Sequence, residues 1–446
     1  MRSGWRFLVL VLLVLSAASA SAAPSTLTLG QSLIALNGPW KFRTGDDPRW
    51  ASPDADDRGW ETVDLTPAPG AHDNDVGLKN WVSGWSARGH RGYVGFAWYR
   101  MTVRVDDPGS DALWLVGPAD LDSAYQLFFN GHLIGGIGDF SRSPPTVTSI
   151  GPRLFALPRR LWDVRDGHWT GVVAVRVVLE RGALTRTPSA GGIHIAPLLG
   201  HEDAARDRYG QQWLQLVEGY AVDAVEPVAF LLLAIMALSL MPFDPKDRFY
   251  PWLAAALVLL AAARANQPLY FLAQIETMRA FGFWRVVVID GLTFAAWTMA
   301  WRAAFRQQSS HWVAVAAAGL AALYMIARLL TLAMFFPDMP HAVAAILANV
   351  LQLTRLGFLS LFIYLAVRGV MDRVPWLAQL AFLSVSVGLF APELSAIGVP
   401  GIWFPFGVGV SRTEYAYAVF VVAMFFYLLQ RLWAYAPTAR RNGNST

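Results

Sequence analysis

Ala229-Phe230-Leu231-Leu232-Leu233-Ala234-Ile235-Met236-Ala237-Leu238-Ser239-Leu240 carries no charge and lies inside a longer apolar run, 218–241. Six further runs follow, at 250–272, 285–301, 312–335, 342–367, 376–397 and 414–430. Each is near the roughly 20 residues that a helix needs to cross a bilayer. The expectation is an all-α seven-helix transmembrane bundle over 218–434, followed by a short cytoplasmic tail, 435–446. Composition agrees, because 55% hydrophobic and 15% charged residues are too apolar for an ordinary soluble enzyme. Membrane lipid is the first partner implied.

In front of the bundle the sequence changes solvent. Arg2 and Arg6 precede the apolar stretch Phe7 to Leu15, and the small residues 17–23 offer A-x-A-like cleavage points. Residues 1–23 therefore read as a signal peptide; a retained eighth helix is disfavoured by the short apolar stretch. Residues 24–205 read as an exported domain, and 206–217 as a juxtamembrane linker. With no cysteine in the chain, that domain has no disulfides, thiolate metal sites or thiol chemistry, and must stand on its own core.

Charge partition gives an orientation. Lys246, Arg248, Arg302, Arg306, Arg368 and Arg373 fall in the loops after spans 1, 3 and 5, and Arg431, Arg440 and Arg441 in the tail. Only Arg279, Arg285 and Arg412 fall on the other side, so nine basic residues oppose three. That asymmetry places the tail in the cytoplasm and the first domain outside the inner (cytoplasmic) membrane. Nucleic acid is not an expected partner, because these arginines are spread over loops.

Residues 24–205 read as all-β. Tyr99, Met101, Val103 and Val105 alternate with Arg100, Thr102 and Arg104, the period of a strand with one buried face. Ala112–Val116, Tyr125–Phe129 and Val173–Leu179 behave similarly, and Asn130-Gly131 between two apolar runs predicts a hairpin turn with positive φ at both positions. Short strands separated by Gly, Pro and Asp loops predict an antiparallel sandwich.

Several segments then match a known pattern in order. Leu36-Asn37-Gly38-Pro39-Trp40-Lys41-Phe42, Asp47-Pro48-Arg49-Trp50-Ala51, and Asp54-Ala55-Asp56-Asp57 with Trp60-Glu61 open the series. Gly92-Tyr93, Gly95, Ala97-Trp98-Tyr99-Arg100 and Ala124 to Gly131 continue it. This stretch resembles the sugar-binding jelly roll of glycoside hydrolase family 2, which implies a galactose-binding-like fold. The hydrolase barrel with its paired acids is absent from the resemblance, since the remaining sequence is apolar. A β domain followed by seven spans, with the juxtamembrane stretch Tyr209 to Pro227, is similar to bacterial seven-transmembrane receptors with diverse intracellular signalling modules. That resemblance implies ligand sensing outside the cell and transmission through the helices. The family's output domain is not encoded after Arg431 in this sequence, so the signal is expected to pass to a separate cytoplasmic signalling protein.

The loop 66–92 has no strand periodicity over about 27 residues, and long loops in compact domains are often functional. It carries His72, Asp73, Asp75, Trp81, Trp85, His90 and Arg91, with Asn74 among them, and aromatic faces beside carboxylates suit a carbohydrate or another small ligand. The competing reading is that its tryptophans pack the rim of the core. Asp73-Asn74-Asp75-Val76-Gly77 lacks the rest of a calcium loop, and Asp54, Asp56 and Asp57 read as turn and cap chemistry. Gly135-Gly136-Ile137-Gly138 lacks the Lys-Ser/Thr of a phosphate loop. No catalytic constellation, cofactor or metal site is expected.

Arg264, Asp290, Arg328 and Arg355 lie within the spans, with Glu226 and Glu393 near span ends, and each central charge costs roughly 2.5–3.5 kcal/mol to insert. At overlapping depth they predict one neutralised polar cluster in the outer half of the bundle, which Asn349 and Gln352 would extend. Packing glue, a bistable switch and a proton or solute path are its open readings. The sequence thus favours a receptor for an extracytoplasmic ligand. A transporter or transporter accessory, with Asn266-Gln267-Pro268 breaking span 2, and a glycan-acting enzyme are the alternatives.

Overall fold

The computed structural model describes residues 26–27, 33–106, 108–109, 112–180, 189–305, 310–404 and 408–443. The expected signal peptide, Arg306 and the end of the expected tail lie outside the described residues.

The β-rich part contains β1 (Ile34–Ala35), β2 (Trp40–Thr44), β3 (Glu61–Val63), β4 (Gly95–Asp106) and β5 (Ala112–Val116). It continues with β6 (Ala124–Phe129), β7 (His132–Ile137), β8 (Leu154–Pro158), β9 (His168–Leu179) and β10 (Leu198–Gly200). The larger sheet runs β3-β2-β4-β9-β6-β7, with Thr26–Leu27 beside β4 and Asp163–Arg165 beside β9. The smaller runs β8-β5-β10-β1. β9 lies between β4 and β6, pairing Val175 with both Tyr99 and Leu127. Alternation sends Tyr99, Met101, Val103 and Val105 inward to meet Leu113 and Leu115 of the smaller sheet in one shared core. On the outer face, Trp98 and Ala174 pack under Trp50 and Trp60. There Arg100 is buried, donating to Asp57 Oδ2 at 3.0 Å and to Ser52 O at 2.8 Å. The hairpin turn has Asn130 at φ 45° and Gly131 at φ 82°.

The helical part comprises α1 (Glu202–Gly219), α2 (Ala221–Leu240), α3 (Phe249–Phe271), α4 (Met278–Ala304), α5 (His311–Thr331) and α6 (His341–Met371). It ends with α7 (Trp376–Leu389), α8 (Ala391–Ala396) and α9 (Arg412–Gly443). The residues read as a linker, 206–217, are therefore helical. α4 begins earlier than its apolar run and contains a π-helical segment, Gly282–Ile289, so Arg285, counted above with the loops, is intrahelical.

Among the described residues six helical segments, not the expected seven, are long and apolar enough to cross a membrane. The run 376–397 is divided at Phe390 into a 14-residue helix and a 6-residue helix. Pro392 supplies the reason: it has no N–H to give, and its ring excludes the carbonyl four residues earlier. Carbonyls freed at the break find arginines, with Arg355 Nη2 3.2 Å from Leu389 O and Arg412 Nη2 2.6 Å from Ala391 O. The break expected at Asn266-Gln267-Pro268 does not occur, because Pro268 falls in the last turn of α3 and the helix runs on to Phe271.

The two ends of the bundle differ. At one, Asp247 after α2 pairs with Arg431 of α9 at 2.7 Å, and Phe305 after α4 and Arg373 after α6 line a cavity with Arg431. The β-rich head sits on the other end, over the connections after α3 and α5.

Candidate functional site

The loop 66–92 is the main seat of the head on the helices. Val76 and Leu78 enter an apolar cluster with Leu216 and Tyr220, flanked by Phe271 and Leu272. The Asp75 carboxylate accepts from Tyr220 Oη at 2.7 Å, Gln215 Nε2 donates to Gly77 O, and the His72 ring lies 4.3 Å from that of Phe404. Elsewhere along the seam Arg153 donates to Gln274 Oε1 at 2.8 Å, Met278 N to Val147 O at 2.9 Å, and Arg279 to Glu180 Oε1 at 2.9 Å.

Between these contacts lies a cavity of about 350 Å³. Its head wall is Val76, Leu78, Asp120 to Ser123 and Thr148 to Ile150, and its bundle wall is Phe271, Met278, Phe281, Val286, Arg328, Leu332 and Met334. Mostly apolar walls with a few convergent polar groups, at an interface between two structural units, are what a small-molecule site requires.

Asp120 and Asp122 are backed by His194, which is buried. His194 Nε2 lies 3.1 Å from Asp122 Oδ2, Nδ1 lies 2.9 Å from Val82 O, and the Trp81 indole stacks on the ring at 5.1 Å while donating to Asp120 Oδ2 at 3.0 Å. Burial works against the charge on His194, but the hydrogen bond to Asp122 and the charges of Asp120 and Asp122 outweigh it and raise the group to about 9. Burial pushes Asp120 up to about 6 against the opposing pull of His194. The raised value favours an imidazolium at His194, behind the Asp120 and Asp122 carboxyl groups of the head wall. None of this trio was among the residues picked out from sequence. The available signal was Asp120-Leu121-Asp122, whose period of two puts both carboxyl groups on one side of an extended segment.

The candidate ligand residues divide. Asp73 and Asp75 line the cavity, and Trp81 backs it through Asp120. Asp73 Oδ1 accepts from the amides of Asp75, Val76 and Gly77 at 2.7, 2.8 and 3.1 Å, and Oδ2 from Leu78, so its carboxylate shapes the loop. Trp85 is a core residue packed on Phe42 and Tyr93, with its Nε1 3.3 Å from Tyr93 O. His90 pairs with Glu61 at 3.0 Å on the β3 side, and Arg91 is exposed next to it in the chain.

Among the described residues, the charges within the helices include three ion-paired groups. Arg264 meets Asp223, Glu226 at 2.6 Å and Glu414 at 3.6 Å; Arg285 meets Asp290; Arg355 meets Glu393 at 2.5 Å. Arg264, Arg285, Asp290 and Arg355 line one cavity of about 230 Å³ beside the break at Leu389–Pro392. Arg328 lines the head–bundle cavity and not this one. Asn349 and Gln352 are exposed on α6. Asp223 and Glu414 belong to the network and were not among the residues picked out from sequence.

No family model matches the chain, and no curated protein matches it. Among solved structures the chain is similar to a β-glucuronidase from glycoside hydrolase family 2, with 18% identity, TM-score 0.27, and 38% of this chain and 17% of that chain covered. It is similar to the Bacteroides uniformis β-glucuronidase at 16% identity, TM-score 0.26, covering 38% and 17%. A glycosyl hydrolase family 2 member from Bacteroides cellulosilyticus is similar at 18% identity, TM-score 0.26, covering 38% and 20%. The chain spans no more than a fifth of the length of these three hydrolases.

Proposed function

We propose that this chain is a membrane receptor in which an extracytoplasmic small molecule, a carbohydrate among the candidates, occupies the cavity between the β head and the helices. Its occupancy shifts their contact, and the helices carry that shift to a separate cytoplasmic signalling protein. The observation that carries the reading is that one cavity takes walls from both parts: Asp120 and Asp122 from the head, Arg328 and Leu332 from α5 and the turn after it. A ligand bound there has contacts with both parts and so a differential affinity for their arrangements, which is the thermodynamic requirement for a signal.

The test is a glycan and small-metabolite panel added to the full chain in lipid nanodiscs and read by thermal shift. A compound that raises the melting temperature, and loses that effect in Ile150→Trp, which fills the head side of the cavity, supports the reading. Shifts that survive the substitution place the ligand elsewhere, and a panel without shifts removes both ligand classes. A transport reading draws on the helix break at Phe390 and its arginines. Solute flux through proteoliposomes that is lost in Glu393→Gln would put transport in place of the receptor.

A further inference from the structure

At the bundle end opposite the head, α6 closes in a Schellman turn. Val374 N donates to Gly369 O at 3.0 Å and Arg373 N to Val370 O at 3.2 Å, with Arg373 at φ 53°. Glycine is the favoured residue there, since a side chain at positive φ is strained. This chain places an arginine at that point, on the edge of a cavity of about 670 Å³ also lined by Arg368, Asp372, Pro375, Tyr427 and Arg431.

Three features of this cavity ask for an anion. First, its arginines come from two different helix ends and, among the described residues, outnumber the carboxylates that pair with them. Arg431 is paired with Asp247 at 2.7 Å and lies over the rings of Phe249 and Tyr250 at 5.4 and 4.9 Å, while Arg368 reaches Asp372 only at 3.7 Å. Among the described residues the lining thus carries three guanidinium groups and the carboxylate of Asp372, with Asp247 paired to Arg431 behind it. Second, Arg368 Nε is buried without a hydrogen-bond partner among the described residues, a donor whose desolvation is uncompensated. Third, α7 begins at Trp376, directly after its N-cap Pro375 on the cavity wall, with no side-chain capping hydrogen bond, so the positive end of a 14-residue helix faces the same space.

Depth points to the carrier. Trp376 and Trp433 are 69% and 67% exposed close by, as an interfacial aromatic belt would be. Val370 and Met371 are exposed beside the cavity, offering acyl chains an apolar wall.

We propose that this cavity binds a phosphate group, carried by an anionic phospholipid or by a soluble phosphate compound, with Arg368 and Arg373 as the principal donors and the start of α7 beneath them. Forked guanidinium donors match phosphate oxygens in geometry as well as charge.

The test uses the full chain. Native mass spectrometry compares retention of phosphatidylglycerol and phosphatidylcholine, and thermal shift in phosphatidylcholine nanodiscs reports binding of inorganic phosphate. The variants are Arg368→Gln and Arg373→Gly, the second of which relieves the backbone, so loss of folding is not its expected outcome. Arg160→Gln, exposed on the head, is the control. Preferential retention of phosphatidylglycerol that falls roughly tenfold in either variant supports the site with lipid as the source. A saturable phosphate shift, lost in the same variants, supports it with a soluble source. Equal retention of both lipids with no phosphate shift, or effects that the variants leave unchanged, overturns the proposal.

Discussion

His194 is where single-residue chemistry reaches furthest in the head. Its folded value of about 9 lies above its ordinary value of 6.5, so the folded state binds the proton more tightly. The stabilisation is complete below about pH 6.5 and is lost as pH rises through 9, with an upper size on the order of 3 kcal/mol. Asp120, raised by burial, also favours its protonated form when folded, so its contribution fades between its ordinary value of 3.8 and about 6. The wild-type melting temperature should therefore fall between pH 6.5 and 9.5, and Asp122→Asn, which removes the main partner of His194, should flatten that fall. A fall of equal size in the variant would show that His194 is not its source.

Among elements, the loop 66–92 and the divided run 376–397 show what was legible in sequence and what was not. Strands β4, β6 and β9 were readable because alternation is a local signal that burial of one face enforces. The loop's lack of period was equally visible, but its role was not, since Val76 and Asp75 meet Leu216 and Tyr220 some 140 residues later in the chain. Proline was an ambiguous sign: Pro268 is absorbed in a final helical turn, whereas Pro392 falls where flanking arginines can satisfy the freed carbonyls. The trio at Asp120, Asp122 and His194 joins the paired two-residue strands Leu121–Asp122 and Gly192–Ile193 and their flanks, too short for any periodic pattern to link. One element contact is sharp enough to test. A Cβ on Gly219, the last residue of α1, would stand 2.5 Å from Val76 Cγ1, closer than packed carbons tolerate. Gly219→Ala should cost about 1–3 kcal/mol by overpacking, and Val76→Ala in the same chain should recover part of it. Chemical denaturation of the two single variants and the double variant measures this; a neutral Gly219→Ala, or costs that simply add, would mean the loop is not seated on α1.

For the whole molecule the open question is direction, and geometry constrains it strongly. The head occupies the end of the bundle carrying Arg279, Thr277 and the turn after α5, while Lys246, Arg248, Arg368, Arg373 and Arg431 gather at the opposite end through the Asp247–Arg431 pair and the cavity shared by Arg368, Arg373 and Arg431. Since retention of basic loops on the cytoplasmic side governs insertion, we predict that the head faces outward and the arginine-rich end inward. For the described ends to lie on opposite sides with α6 and α9 both finishing at the arginine-rich end, α7 and α8 together must carry the chain back across the bilayer despite their break. The absence of cysteine makes the measurement direct, because each introduced thiol is the sole target. Ser141→Cys on the exposed face of the head should react with a membrane-impermeant maleimide in cells with a permeabilised outer envelope and an intact inner membrane, and Lys246→Cys only after that membrane is opened. Ser395→Cys on α8 should follow the pattern of Ser141→Cys if the divided segment crosses. Labelling of Lys246→Cys in intact cells would reverse the orientation, and Ser395→Cys behaving like Lys246→Cys would make α7 and α8 a re-entrant pair that dips into the membrane and returns.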